Sequence, residues 1–574
     1  MDDHPHYLPK MNCKMLFLKI SLSIGMGICS CSLAQQPSAT SYAHAAVVTA
    51  HPEATKVGLS ILKSGGNAID AAIAVQFALA VVYPNAGNLG GGGFLLYRGK
   101  NGSYDALDFR ESAPEKARKD MYLDEQGNAI TDKSFYGALA SGVPGTVEGM
   151  VQAHRKYGKL SWRKLLQPAI TLARKGFQIT DQQANELNAY KPGFQKFNRK
   201  NPAFVKQEQW TAKQVLVQKQ LAKTLTLIRD FGRKGFYNGS VAKAIVMTMA
   251  ENKGIISEKD LDSYKAIWRK PVSGYYKTYK VVSMPPPSSG GIALLTMLKQ
   301  AEKFPLEKWG FQRDSTVQFM VEAQRRAYAD RARYLGDPDF YNVPQKELLD
   351  TNYMIARIAN INFNKASSSS QVKAGDFPIQ ESEQTTHFSI VDRDGNAVSV
   401  TTTLNGSYGS LVVVEGAGFL LNNEMDDFSV KPGSPNAYGL IGGLANSIQP
   451  GKRMLSSMTP SIIEKDGKLV MVLGTPGGAT IITSVFQTVL NVLAFGQDMQ
   501  TAVTSPRFHH QWLPDEVYAE QSAIDAATRS RLETKGYKIL SRGSIGRVDA
   551  ILVRPDGRLE TGADPRGNDT AMGY

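Results

Sequence analysis

Cysteine is nearly absent from this chain. Cys13, Cys29 and Cys31 are the only three in 574 residues, and all lie at the start. They fall in or beside an apolar stretch, 16–33, which follows Lys14 and ends in small residues at 30–34. That layout reads as a secretory signal peptide over residues 1–34. The stretch is short and interrupted by Ser21, Ser23 and Gly25, which argues for cleavage and against a lasting membrane anchor. Without residues 1–34 no cysteine remains, so disulfides, a thiolate nucleophile and Cys-ligated metal are excluded.

Other signatures are also missing. His509-His510 has no H-E-x-x-H context, and Gly90–Gly93 has no Lys-Ser/Thr after it, as a phosphate-binding loop requires. Asp392 to Asn396 starts like a calcium loop, but Ala397 stands where the sixth-position glycine belongs. Ser60 to Lys63 fits S-x-x-K, yet the only K-[ST]-G overlaps it. No repeat of fixed period is present. The net charge of +14 is spread out, with no long basic run and no aromatic–basic core sequence. It reads as surface charge favouring anionic substrates, with no nucleic-acid partner.

What is present centres on Gln384-Thr385-Thr386-His387-Phe388-Ser389-Ile390-Val391. A polar stretch with four serines at 367–370 precedes it, so residues 361–384 read as a flexible tail. Alternation begins at once afterwards, at Phe388 and Ile390, turns at Asp394-Gly395 and resumes at Val398 and Val400, which predicts a hairpin. A threonine at that junction can attack the carbonyl before it and free a new N-terminus. Nucleophile and base then share one residue, since an α-amino group has a pKa of roughly 7.7–8.0. On the local pattern alone, the first residue of a strand is the plainer account of Thr385.

Elsewhere the pattern predicts helices over 52–63 and 67–82, and a hairpin over 94–98 and 104–109 that delivers Arg110. Mainly helical sequence follows from about 120 to 280, and Asp314 reads as the cap of a further helix. Hairpins at 462–474 and 548–561 and an apolar helix over 479–495 complete an α/β layered architecture of stacked sheets sheathed by helices. Thr475-Pro476-Gly477-Gly478, at a strand-to-helix junction, suits an oxyanion or is a plain tight turn. Ser456-Ser457 suit a carboxylate or cap a turn. The acidic run after Asn422-Asn423 suits an ammonium group, a metal or solvent.

Together the stretches NLGGGGF, DFRESAP, SGVPGTVEG, MPPPSSGG, QTTHFSIVDRDGNAVSVTTTLN, LLNNEMDDFS, LSSMTPS, GTPGG and RFHHQWLPD resemble the γ-glutamyltransferase family of N-terminal-nucleophile hydrolases. The resemblance runs from about Ala46 to Tyr574. It implies a four-layer αββα sandwich formed by two subunits cut from one precursor between Gln384 and Thr385: a large one, 35–384, and a small catalytic one, 385–574. It implies Thr385 as nucleophile, positioned by Thr403, with Gly477 and Gly478 supplying oxyanion N–H groups. The substrate α-carboxylate would meet Arg110, Ser456 and Ser457. Its ammonium would meet Asn405, Glu424 and Asp427, position 424 being glutamine in some bacterial relatives. Tyr438 would be a lid residue. Glutathione and other γ-glutamyl compounds would be donors, and water, amino acids or dipeptides acceptors. No cofactor or metal is expected, no membrane span after signal cleavage, and a periplasmic or extracellular bacterial location. The same fold also hosts cephalosporin and glutaryl-amide acylases, and an uncleaved secreted binding protein is a further alternative.

Overall fold

The computed structural model describes residues 39–373, 385–430 and 443–574. The expected leader over 1–34, Gln384 and Tyr438 lie outside the described residues. Two antiparallel seven-stranded sheets form the centre. The first runs, edge to edge, through Thr570–Gly573, Ala46–Thr49, Thr386–Val391, Ala397–Thr403, Gly92–Arg98, Tyr104–Asp108 and Ile267–Arg269. The second runs through Ser41–Tyr42, Leu559–Gly562, Asp549–Val553, Lys468–Gly474, Ser461–Lys465, Tyr279–Ser283 and Val272–Tyr276. Each sheet mixes strands from before and after Thr385. A cut at that residue therefore leaves two pieces laced together by both sheets.

Period-two alternation sorts the strand residues into layers. Phe388, Ile390, Val398 and Val400 join Leu95 and Leu107 in a cluster with helices Pro52–Lys63, Ala68–Val82 and Thr146–Tyr157. Val391, Ala397, Phe94 and Leu96 face Val282, Ile462, Val472 and Ile551 of the second sheet. Helices Gly290–Ala301, Asp314–Tyr334 and Thr480–Leu493 cover that sheet from outside. The layers are thus α, β, β, α. The Ala68–Val82 helix is buried along its whole length, as a sequence apolar on nearly every side from Ala71 onward requires. Asn67 and Asp70 close a capping box at its start.

Three expectations change. The 120–280 region ends in strands, because Ile267–Arg269 and Val272–Tyr276 each extend a sheet edge. Asp314 does not cap its helix; it is the first helical residue, and its carboxylate pairs with Arg531 at 2.9 Å. The tail is fixed through residue 373. Ser369 is fully buried, and Ala366 N donates to Lys535 O at 2.8 Å. Polar composition there reflects partners on the body of the protein, not freedom in solvent.

Candidate active site

Thr385 immediately precedes the central strand Thr386–Val391 and is 6 % exposed. The hairpin turn behind it is organised by Asp392, whose Oδ1 accepts from Asp394 N and Asn396 N at 2.9 and 3.0 Å. Its Oδ2 accepts from Ala68 N at 2.9 Å, at the start of the Ala68–Val82 helix. The residues that imitate a calcium loop are therefore a turn and a helix anchor.

His387, Ser389, Ser399 and Thr401 of the hairpin face the second sheet. Ser389 Oγ donates to Asp549 O and Ser399 Oγ to Leu473 O, each at 3.0 Å. The His387 ring lies 2.9 Å from Thr401 Oγ and 3.0 Å from Ser389 Oγ. Burial pushes its pKa down to about 3. His387 is thus neutral at physiological pH and belongs to the inter-sheet seam. Sequence reasoning missed this network, which only the sheet-on-sheet contact creates.

Thr403 ends the second strand of the hairpin. Its Oγ accepts from Asn405 N at 2.7 Å, and its carbonyl accepts from Asn88 Nδ2 at 2.8 Å. Asn88 Nδ2 also reaches Thr402 Oγ at 3.0 Å, and Asn88 Oδ1 accepts from Thr146 Oγ at 2.6 Å. The glycine loop after Asn88 permits this clasp. A Cβ on Gly91 would lie 2.0 Å from Thr403 O. Gly91→Ala is expected to cost about 1–3 kcal/mol of stability, because backbone must shift, and to lower kcat by displacing Thr403. Thermal melts and steady-state kinetics check both.

Arg110, Asn405, Asp427, Ser456, Ser457 and Gly478 line one cavity with Thr385 and Thr403; Met458 and Ile481 complete its lining. Glu424 sits beside it, with Oε2 2.5 Å from Arg110 Nη1. Arg110 Nη2 donates to Asp427 Oδ2 and, at 3.2 Å, to Leu455 O. Asn405 Nδ2 donates to Asn423 O at 3.0 Å, and its positive φ of 71° suits asparagine. Asn422 Oδ1 accepts from Glu424 N at 3.0 Å and from Gly142 N at 2.8 Å, which ties the acidic loop to SGVPG. Asn88, Asn422 and Asn423 were not singled out from the sequence. Their role lies in bridging distant loops, which no local spacing shows.

Three acidic groups surround one guanidinium here. Burial opposes the Arg110 charge, but Glu424, Asp427 and Glu111 together raise its pKa. Burial, with Glu111 and Asp427 adding to it against the pull of Arg110, holds Glu424 well above the usual carboxylate range; burial also raises Asp427, against Arg110 and Glu424. Ser457 Oγ is buried and finds no partner among the described residues. An unsatisfied buried hydroxyl costs free energy unless something accepts from it.

Glu111 is buried beside Arg110, and burial pushes its pKa up to about 8. A carboxyl with a raised folded pKa contributes stability below its unfolded pKa and loses it as pH rises toward the folded one. Glu111→Gln removes that loss. Relative to the unaltered protein, the variant is expected to be little changed at pH 5 and to gain on the order of 4–5 kcal/mol by pH 9, at 1.36 kcal/mol per pKa unit. Denaturant titrations across that range measure it.

The loop after strand Lys468–Gly474 brings Gly477 and Gly478 to the start of helix Thr480–Leu493, with φ of 133° and 55°. Their carbonyls accept from Thr480 N and Ile481 N, each at 3.0 Å. Their own N–H groups donate to no backbone carbonyl among the described residues. A Cβ on Gly477 would lie 2.5 Å from Thr480 Oγ. Gly478 lines the cavity, while Gly477 adjoins it. Among the described residues no cluster of His, Cys, Asp and Glu could hold a metal ion, and no helix is long and apolar enough to cross a membrane.

Facing antiparallel sheets between helical layers, with a threonine at the head of a central strand, define an N-terminal-nucleophile hydrolase. The structure resembles a cephalosporin acylase from Bacillus halodurans, with a TM-score of 0.83, 24 % identity and coverage of 96 % of this chain and 99 % of that one. At that identity the likeness shows the fold alone. The Gamma-glutamyltranspeptidase family model matches residues 54–574, and the chain belongs to that family. A glutathione hydrolase proenzyme of Escherichia coli (strain K12) is 48 % identical, over 92 % of this chain and 91 % of that protein. A Helicobacter pylori gamma-glutamyltranspeptidase structure is 46 % identical with a TM-score of 0.56, over 57 % of this chain and 94 % of that one.

Proposed function

We propose that the chain is a self-processing γ-glutamyltransferase and glutathione hydrolase. The observation that carries this reading is the single cavity in which Thr385 meets Arg110, Asp427, Asn405, Ser457 and Gly478. In maturation the Thr385 hydroxyl attacks the Gln384 carbonyl. A C–O bond forms, the C–N bond breaks, and the proton moves to the freed amine. Water hydrolyses the ester, leaving a large subunit ending at Gln384 and a small one, 385–574.

In catalysis the new α-amino group takes the hydroxyl proton as Thr385 Oγ attacks the γ-carbonyl. Neutral His387 is sequestered in the sheet seam, so the amine is the base at hand. Thr403, whose Oγ accepts from Asn405 N, donates toward Thr385 and fixes its rotamer. Gly477 and Gly478 N–H groups receive the oxyanion. A γ-glutamyl ester forms and the amine leaves. Water then yields glutamate, or an amino acid or dipeptide yields a new γ-glutamyl amide. The donor is a zwitterion that inserts into the Arg110 ion pairs. Its carboxylate takes Arg110, Ser456 and Ser457, and its ammonium takes Asn405, Glu424 and Asp427. That ammonium set favours a free-amine donor over an acylase substrate. Tyr438 is assigned the lid role, and the signal-like start supports a location in a bacterial periplasm or outside the cell.

Intact mass and N-terminal sequencing of purified protein test this first. Two fragments, the smaller beginning Thr385-Thr386-His387, together with release of anilide from a γ-glutamyl anilide, are expected. A single unsplit chain after long incubation would sink the reading.

A further inference from the structure

Residues 366–372 are the last described stretch but one residue before the Gln384–Thr385 junction, and the 507–515 motif grips them. Trp512 Nε1 donates to Ser369 O at 2.9 Å and to Val372 O at 2.8 Å. Asp515 Oδ2 accepts from Ser369 N at 2.7 Å. Arg325, 2 % exposed, donates from Nη1 to both Ser369 Oγ and Asp515 Oδ1. His510 Nε2 stands 3.3 Å from Asp515 Oδ1. Ser369 is fully buried, with its N–H, carbonyl and hydroxyl all engaged. None of these residues lines the Thr385 cavity. The proposed chemistry gives them no task.

The grip is directed at backbone. The Trp512 N–H and one oxygen of Asp515 are spent on main-chain groups of 369–372, across the proposed cleavage point from their own segment. Holding backbone rather than side chains sets a register. Twelve residues, 373–384, then join Val372 to Thr385. Pinning both ends of a short connection removes much of its conformational freedom. An intramolecular attack gains rate when its two reacting groups are held near each other.

We propose that Trp512, Asp515 and Arg325 form a positioning clamp that fixes the chain upstream of residue 384, speeds self-cleavage, and afterwards retains the new C-terminus on the catalytic half. The clamp rests on the self-processing reading above. Its residues touch no reacting atom and act only by position.

Trp512→Phe removes one N–H and keeps an aromatic ring. Splitting of newly refolded protein is followed with time, then kcat and KM are measured on fully split enzyme. Splitting is expected to slow roughly tenfold, with kcat and KM of the mature enzyme within about twofold. In a Thr385→Ala background, trypsin cleavage after Lys365 is expected to quicken by about fivefold when Trp512→Phe is added, because the docked backbone opens more often. Asp515→Asn should act in the same direction on both readouts. Unchanged splitting in both variants overturns the clamp. So does a kcat that falls in proportion to the splitting rate, or slowed splitting with unchanged trypsin sensitivity. If the unaltered protein never splits, the self-processing reading fails and the maturation role with it; the trypsin comparison then decides whether the tether exists.

Discussion

Thr385→Ala is expected to remain one chain and to lose at least about 10⁴-fold in γ-glutamyl amide turnover, the scale seen when a nucleophile is removed from a preorganised site. Two separate failures contribute. Without the hydroxyl nothing attacks the Gln384 carbonyl, so the amine base is never released. Without the hydroxyl no acyl ester forms either. Producing 385–574 with alanine at its head, together with the preceding segment as a separate chain, isolates the second failure. That assembly should fold, because both sheets interleave strands from the two segments, yet it should stay inactive. Thr385→Ser keeps hydroxyl and amine and should split and retain activity within roughly tenfold. A Thr385→Ala protein that still splits at 384–385 would remove Thr385 from the mechanism.

Arg110→Leu carries the second large effect. The guanidinium is buried and stands against Glu424, Asp427 and Glu111. Removing one partner from a buried ionic cluster costs about 3–5 kcal/mol. The loss depends on pH. With Arg110 gone the carboxylates rise further in pKa, so the folded state keeps protons that the unfolded chain releases. Stability is then retained at low pH and lost as pH rises. The deficit against the unaltered protein should therefore be small near pH 5 and largest above pH 8, which melts at both values will show. Catalysis suffers separately, since the donor carboxylate loses its bidentate partner; kcat/KM should fall by about 10²–10³. Arg110→Lys keeps one charge but not the fork, and should recover stability better than KM. An Arg110→Leu protein with unchanged KM would place the donor carboxylate elsewhere.

The parts legible in the sequence were those with local cause. Alternation at Phe388, Ile390, Val398 and Val400 announced the central hairpin, and it pairs in register from Thr386↔Thr402 to Val391↔Ala397. The 67–82 segment, apolar on nearly every side from Ala71 onward, announced a helix. Two glycines at a strand–helix junction announced the loop at 477–478. Where the cause was distant, local reading failed. Strand Ala46–Thr49 pairs with Thr386–Val391 on one side and with Thr570–Gly573 on the other, partners hundreds of residues away. The serine-rich stretch looked free because its partners, Arg325 and Asp515, lie elsewhere in the chain.

The sequence by itself determined the residue chemistry: no cysteine beyond position 31, a threonine placed to head a strand, an arginine, two serine hydroxyls and an acidic pair. It also determined which segments alternate and which are apolar throughout, since those patterns follow from backbone period alone. Only the tertiary structure decided that Arg110, Asp427, Ser457 and Thr385 share one cavity. The same is true of the burial that neutralises His387 and raises the pKa values of Glu424 and Asp427. The physical reason is that burial and charge proximity are properties of packing. A carboxylate's pKa depends on what surrounds it, and those surroundings are assembled from residues far apart in the chain.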